Sequence, residues 1–219
     1  VAHPVMGGSL KKSLLTGLPL KENIASAHES AQRDWRSARL AAKRALDFDE
    51  QAPLVFIFGG SQGSVAINEV IARSQQTLAS QGVNILHGVG ARSALPESHD
   101  SYRAVNYISD MATAYLAADL IIARSGAVTC AEVNTLGRYA LFIPLPIGNG
   151  EQNLNAASLI SQGRAEILPQ AQFTAEWIAA NLSRLLARSS AAPISGSTID
   201  IEATTKIVAL MDYALSGGK

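Results

Sequence analysis

In "FIFGGSQGSVAIN" an apolar run ends in Gly59 and Gly60 and gives way to a helical pattern, so unpaired backbone N–H groups face whatever lies beyond the strand's carboxyl end. That arrangement can hold an anion. It is also what a tight strand-to-helix turn needs for geometry alone, and the motif leaves both readings open. Two familiar nucleotide fingerprints fail here. A P-loop requires GxxxxGK[ST], and the stretch has no lysine; a dinucleotide fingerprint requires a second glycine where Ser61 stands. Nor does an acid close the next strand, where His87 and Gly88 follow "NIL".

"DLIIARSGAVTCAEV" repeats the design: an apolar run, then Ser125 and Gly126, then a helix expected to begin near Thr129. The dipole and free N–H groups of such a helix start would stabilise a diphosphate, above all one gaining charge as a leaving group. Glu132 has two candidate roles. With Thr129 it fits the capping box [ST]xx[DE], and as a free carboxylate it could accept both hydroxyls of a nucleotide ribose. Arg124 could meet a phosphate or serve the structure. In "PLPIGNGEQNLNA" two prolines fix the exit from "ALFI", Gly148 and Gly150 free the backbone, and Glu151, Gln152 and Asn155 begin the next helix. Carboxylate and amide groups suit sugar hydroxyls, and also a polar helix cap. Three loops with anion or hydroxyl chemistry at strand carboxyl ends together favour a nucleotide-sugar site.

The elements that would position these loops are a parallel sheet and its helices. Apolar runs at 54–58, 83–88, 119–124 and 140–145, with weaker ones in "YRAVNYI" and "AEILP", alternate with helical patterns at 66–80, 111–117, 129–136, 152–162 and 175–187. Continuously apolar strands imply burial on both faces, and the alternation implies a doubly wound α/β domain. Ahead of them, "ENIASAHESAQRDWRSARLAAKRAL" reads as one long helix laid on the domain. "SSAAPISGS" reads as a linker, with Ser197 and Asp200 placed to cap a last helix.

Composition narrows the function classes. The chain has 219 residues, 47% of them apolar, enough for a substantial core, and its 18 Lys and Arg balance 18 Asp and Glu. No basic face is indicated, which argues against nucleic acid as a partner. A single cysteine, Cys130, excludes an internal disulfide and CxxC metal sites and fits a reducing cytosol; the four histidines have no zinc-type spacing. No apolar run is long enough to span a bilayer. The opening "VAHPV" reads as the middle of something longer.

"GGSQGSVAIN", "YISDMATAYLAADLIIARSGAVTCAEV" and "PLPIGNGEQNLNA" resemble the C-terminal half of the MurG-type peptidoglycan glycosyltransferases, and "LTGLPLKENI" resembles the segment joining their two halves. The "GNGEQ" form resembles the actinobacterial branch. The resemblance covers nearly the whole chain. It implies a GT-B fold, two Rossmann-like domains facing a cleft, with residues 1–18 as the end of an N-terminal domain and hinge. Residues 19–190 would be the UDP-GlcNAc-binding domain, and 191–219 a linker and C-terminal crossover helix. It implies inverting transfer of GlcNAc from UDP-GlcNAc to lipid I, giving lipid II, at the cytoplasmic face of the membrane, with no metal or other cofactor. The backbone at Ile108 would read uracil, with Tyr107 and Met111 nearby, and Glu132 would take the ribose hydroxyls. Ser61 and the helix start at Ser125, Gly126, Val128 and Thr129 would hold the diphosphate, with Lys21 in the hinge segment. Glu151 and Gln152 would bind the GlcNAc hydroxyls. Catalytic residues and the lipid I site are expected in the N-terminal domain, so this fragment is expected to be inactive alone.

Two departures stand out. Lys21 replaces a usual Arg, keeping charge but losing bidentate phosphate geometry, and Tyr139 replaces a common Pro. The alternatives are another GT-B enzyme using a UDP-sugar, the similarly built UDP-GlcNAc 2-epimerase, or a non-catalytic nucleotide-sugar-binding module.

Overall fold

The computed structural model describes residues 13–146 and 150–216. Six parallel strands form one sheet: β1 (Leu54–Phe58), β2 (Asn84–Gly88), β3 (Tyr102–Val105), β4 (Leu120–Ala123), β5 (Ala140–Phe142) and β6 (Ala165–Ile167), in the order β3-β2-β1-β4-β5-β6. β1 lies in register between its neighbours, with Val55 opposite Ile85 on one side and Leu120 on the other. The order reverses between β1 and β4, the switch point where doubly wound sheets open a crevice beyond their carboxyl ends.

Helices cover both faces, and the strand alternation decides which residue meets which layer. Leu54, Phe56 and Phe58 enter a core with α1 (Glu22–Arg33), α2 (Trp35–Ala45), α4 (Met111–Ala117), α5 (Ala127–Thr135) and α6 (Glu151–Ser161). Val55 and Ile57 enter the opposite core with α3 (Val65–Ser80) and α7 (Ala175–Ala191). The expected α/β architecture is present, and both weaker strand candidates are real edge strands.

Three local expectations are corrected. The single long helix is two, because Asp34 takes an extended conformation (φ −156°, ψ 95°) and its carboxylate accepts the Ser37 N–H at 3.1 Å, capping α2. The break lets α1 and α2 pack on the sheet as a hairpin. Helix α5 starts at Ala127, two residues early, with Gly126 as its N-cap and no side-chain cap. Thr129 and Glu132 therefore do not form a capping box. The last helix, α8 (Ala203–Leu215), begins after Glu202 rather than at Ser197 or Asp200. Asp200 is used at long range instead: its carboxylate accepts the Leu18 N–H at 2.8 Å, tying the segment before α8 to the segment before α1. Only Ala203 of α8 is buried, and Val208, Met211 and Leu215 are exposed. Among the described residues no helix is long and apolar enough to cross a membrane.

Candidate functional site

At the carboxyl end of the sheet a cavity of about 200 Å³ is formed by Gly60 and Ser61 after β1, Gly88 and Gly90 at and after the end of β2, Asn106 to Ile108 after β3, and the first turns of α5. Lys21, just ahead of α1, and Met111, the first residue of α4, close its sides. Eight of the residues singled out in the sequence meet here: Lys21, Ser61, Tyr107, Ile108, Met111, Val128, Thr129 and Glu132. Phe58, Gly88, Gly90 and Asn106 are lining residues that the sequence reading missed. The backbone that follows β2 and β3 supplies much of that wall, and it carries no side-chain signature.

Two glycines hold the first two loops together. Gly63 and Gly90 both have φ in the left-handed region, 82° and 92°. Their backbones are back to back, so that a Cβ on Gly90 would overlap the Cα and N of Gly63. Asn68 of α3 reinforces the junction by donating to the Val89 carbonyl at 2.8 Å, while its amide oxygen meets His87 at 3.1 Å. His87 is fully buried, and burial lowers its pKa to about 4. The other ring nitrogen lies 2.8 Å from the Tyr102 hydroxyl.

Glu132 is the chemical centre of the cavity. It projects from the second turn of α5 and is 7% exposed. The hydroxyl of Tyr115, wholly buried on α4, donates to one carboxylate oxygen at 2.8 Å, and the other oxygen has no donor among the described residues. Burial raises the carboxyl above its ordinary value, opposed first by the Tyr115 hydrogen bond and then by the charge of Lys21. Beside it, the uncapped first turn of α5 presents N–H groups that lack intrahelical acceptors. A half-satisfied carboxylate next to free amides can accept hydroxyl protons at one point and hold an anion at the adjoining one.

The other site candidates fall elsewhere. Ser125 is fully buried just before α5, its hydroxyl without a hydrogen-bond partner, and Gly126 is the N-cap. Glu151 and Gln152 stand at the start of α6, outside this cavity; the Gln152 amide oxygen accepts the Leu145 N–H at 2.9 Å. Asn155 donates to the Ser125 carbonyl at 3.0 Å and braces α6 against α5. Gly148 lies outside the described residues. Arg124 is structural: it donates to the carbonyls of Ile143 and Pro144, the Ser64 hydroxyl and the Gln170 amide oxygen, clamping three loops from within. Cys130 is buried, its pKa raised to about 12 by desolvation, and the described residues contain no cluster that could hold a metal ion.

Residues 54–208 match the Glycosyltransferase family 28 C-terminal domain. The chain belongs to this family. It is 37% identical over 192 residues to the UDP-N-acetylglucosamine--N-acetylmuramyl-(pentapeptide) pyrophosphoryl-undecaprenol N-acetylglucosamine transferase of Streptomyces coelicolor, covering 85% of this chain and 51% of that protein. It is 40% identical over 171 residues to the Corynebacterium glutamicum transferase of the same name, covering 78% and 46%. Among solved structures, Acinetobacter baumannii MurG aligns with TM-score 0.54 at 30% identity over 74% of this chain and 48% of that one. The calicheamicin glycosyltransferase CalG4, at TM-score 0.56 and 17% identity over 70% of this chain and 38% of that one, shares the fold. This family 28 domain is thus MurG-like, with the α/β architecture of a GT-B C-terminal domain, and it spans about half the length of the curated relatives it matches.

Proposed function

We propose that this chain is the donor-binding half of an inverting glycosyltransferase that moves GlcNAc from UDP-GlcNAc to undecaprenyl-diphospho-muramoyl-pentapeptide, forming lipid II. The observation that carries the reading is Glu132, fixed by Tyr115 through one oxygen and open through the other, in a cavity at the strand carboxyl ends beside an uncapped helix start. In this reading Glu132 accepts the ribose hydroxyls, and the Ile108 backbone reads uracil between Tyr107 and Met111. Ser61 and the α5 start, from Ser125 and Gly126 to Val128 and Thr129, take the diphosphate, with Lys21 adding charge. Glu151 and Gln152 reach the GlcNAc hydroxyls; the Gln152 NH2 remains available because its oxygen is engaged by the Leu145 N–H.

Residues 19–190 form the donor domain, and 191–219 a linker and crossover helix. The aligned stretches span about half of each relative, and in this reading the acceptor site and general base lie outside this chain. In the intact enzyme, working peripherally on the cytoplasmic membrane face, that base deprotonates the muramoyl C4 hydroxyl. The hydroxyl oxygen attacks the anomeric carbon, and the bond to the diphosphate breaks. This chain's amides stabilise the departing charge, each such donor typically contributing about 3–4 kcal/mol to the transition state. No metal is needed for that step, and this chain alone does not turn over.

Isothermal titration tests the donor assignment. UDP-GlcNAc should bind in preference to UDP-GalNAc, UDP-glucose and GDP-mannose, with Glu132→Ala weakening all UDP ligands and Gln152→Ala weakening UDP-GlcNAc but not UDP. Equal affinity for every nucleotide sugar, or no heat from the folded protein, would overturn it. Transfer to an acceptor by this chain alone would refute the half-enzyme reading.

A further inference from the structure

A second concave site lies at the opposite end of the sheet. This cavity, of about 540 Å³, is bounded by the start of α2, the turn from α5 into β5, the residues just ahead of β1 and β4, and the last turn of α7. Its size falls in the range of small-molecule sites, about 300–1,000 Å³.

Arg138 dominates the wall. It is 7% exposed, its Nε donates to the Leu136 carbonyl at 3.0 Å, and its guanidinium carbon lies 3.2 Å from the centroid of the Trp35 ring. Among the described residues its two terminal nitrogens have no hydrogen-bond acceptor and no carboxylate lies within 4 Å. Burial lowers its pKa to about 9, the more distant charge of Asp119 opposing that shift only in part. Arg36, on the rim, is exposed, makes no salt bridge among the described residues, and feels the charge of nearby Asp34. Asp119 is the one carboxylate lining the cavity, and it is already taken: Arg39 binds it with two hydrogen bonds at 2.7 and 2.8 Å, and Lys43 approaches to 2.9 Å. A largely buried cation held by a carbonyl and an aromatic ring but by no carboxylate is costly, so this arrangement is short of negative charge.

We propose that this cavity binds a small phosphate-bearing molecule through Arg138 and Arg36, with Trp35 as its aromatic wall. The buried guanidinium of Arg138 and the exposed one of Arg36 together match a dianion, which one phosphate group supplies at neutral pH and one carboxylate does not, and the guanidinium fork suits phosphate oxygens. The carbonyl ends of α5 and α7 oppose an anion here. Each carries about half a charge within its last turn, against two full guanidinium charges, and α2 opposes them with the favourable end of its dipole. Tyr139, next to Arg138 in the "GRYA" turn, donates its hydroxyl to Glu166 at 2.5 Å, a carboxylate that Arg184 and Arg188 also pair with.

The chain has two tryptophans, Trp35 and Trp177, and only Trp35 lines the cavity. In a Trp177→Phe variant of the 219-residue chain, Trp35 emission is followed during titration with inorganic phosphate and pyrophosphate at constant ionic strength. A saturable change with a midpoint below about 1 mM is expected, weakened about tenfold or more by Arg36→Met, a surface change that leaves the fold intact, and further by Arg138→Met. A linear drift reproduced by sodium chloride, or a saturable change unaltered by Arg36→Met, would overturn the proposal. Saturating UDP should leave the midpoint unmoved, which separates this site from the cavity at the other end of the sheet.

Discussion

Replacing Tyr115 by Phe tests the electrostatic design of the Glu132 cavity with one oxygen atom. The ring is held edge-on by Phe56 and Phe58, at centroid distances of 5.7 and 6.0 Å, so phenylalanine keeps the packing and removes the hydroxyl that donates to Glu132. A hydrogen bond to an ionised group contributes about 1.5–3 kcal/mol, one between neutral groups about 0.5–1.5 kcal/mol. Which applies depends on pH. Burial raises the Glu132 carboxyl above 4.5, so the folded chain keeps a proton that the unfolded chain has released. Stability therefore falls as pH rises from 4.5 through the folded value. Tyr115 limits that fall by favouring the ionised form. The cost of Tyr115→Phe should accordingly be about 0.5–1.5 kcal/mol while Glu132 is protonated and about 1.5–3 kcal/mol once it is ionised. The larger figure corresponds to a drop of about 3–12 °C in Tm for a chain of this size. Urea denaturation across this pH range measures it. In a Glu132→Gln background the cost should be small and flat. A flat cost in the native background, or an unchanged pH dependence in the Glu132→Gln background, would refute the reasoning.

Other perturbations have equally definite outcomes. Lowering pH from 6.5 to about 4 protonates His87 in the unfolded chain first and should remove about 3 kcal/mol of stability, a slope that His87→Gln abolishes in the same denaturation series. Asp119→Ala strips Arg39, the buried Lys43 and the Leu54 N–H of their shared acceptor and should cost about 3–5 kcal/mol by chemical denaturation. Gly90→Ala, forced against Gly63 at a positive φ, should cost about 3 kcal/mol and weaken any ligand of the adjoining cavity, read by calorimetry on the folded fraction.

The sheet was legible because strands such as "LVFIF" are buried on both faces and therefore apolar at every position. The three ligand-type loops were legible because glycine and helix-start residues follow those runs directly. What could not be read were choices made by distant partners. Asp34 is the exception, a break made locally by its cap to Ser37 three residues on and hidden by the Ala-rich helical pattern on either side. Thr129 and Glu132 imitate a cap, yet the helix begins at Ala127 and a tyrosine on another helix claims the carboxylate. Asp200 looked like a cap because its partner, the Leu18 N–H, lies 182 residues away. Arg138 gave no signal, since an arginine in a turn is ordinarily solvated and only the fold buries it.

The back-to-back path of Gly63 and Gly90 binds two loops into a single inheritable unit. Neither position can accept a side chain while the other keeps its course, so drift in one loop is conditional on the other although they follow different strands. Grafting either loop from a relative should succeed only when its mate travels with it, and selection libraries that vary the two independently will be dominated by chains that fail to fold. Altering ligand preference on this scaffold is therefore a task for paired exchange of whole loops, or for side chains such as Ser61 and Asn106 that line the cavity outside the glycine contact.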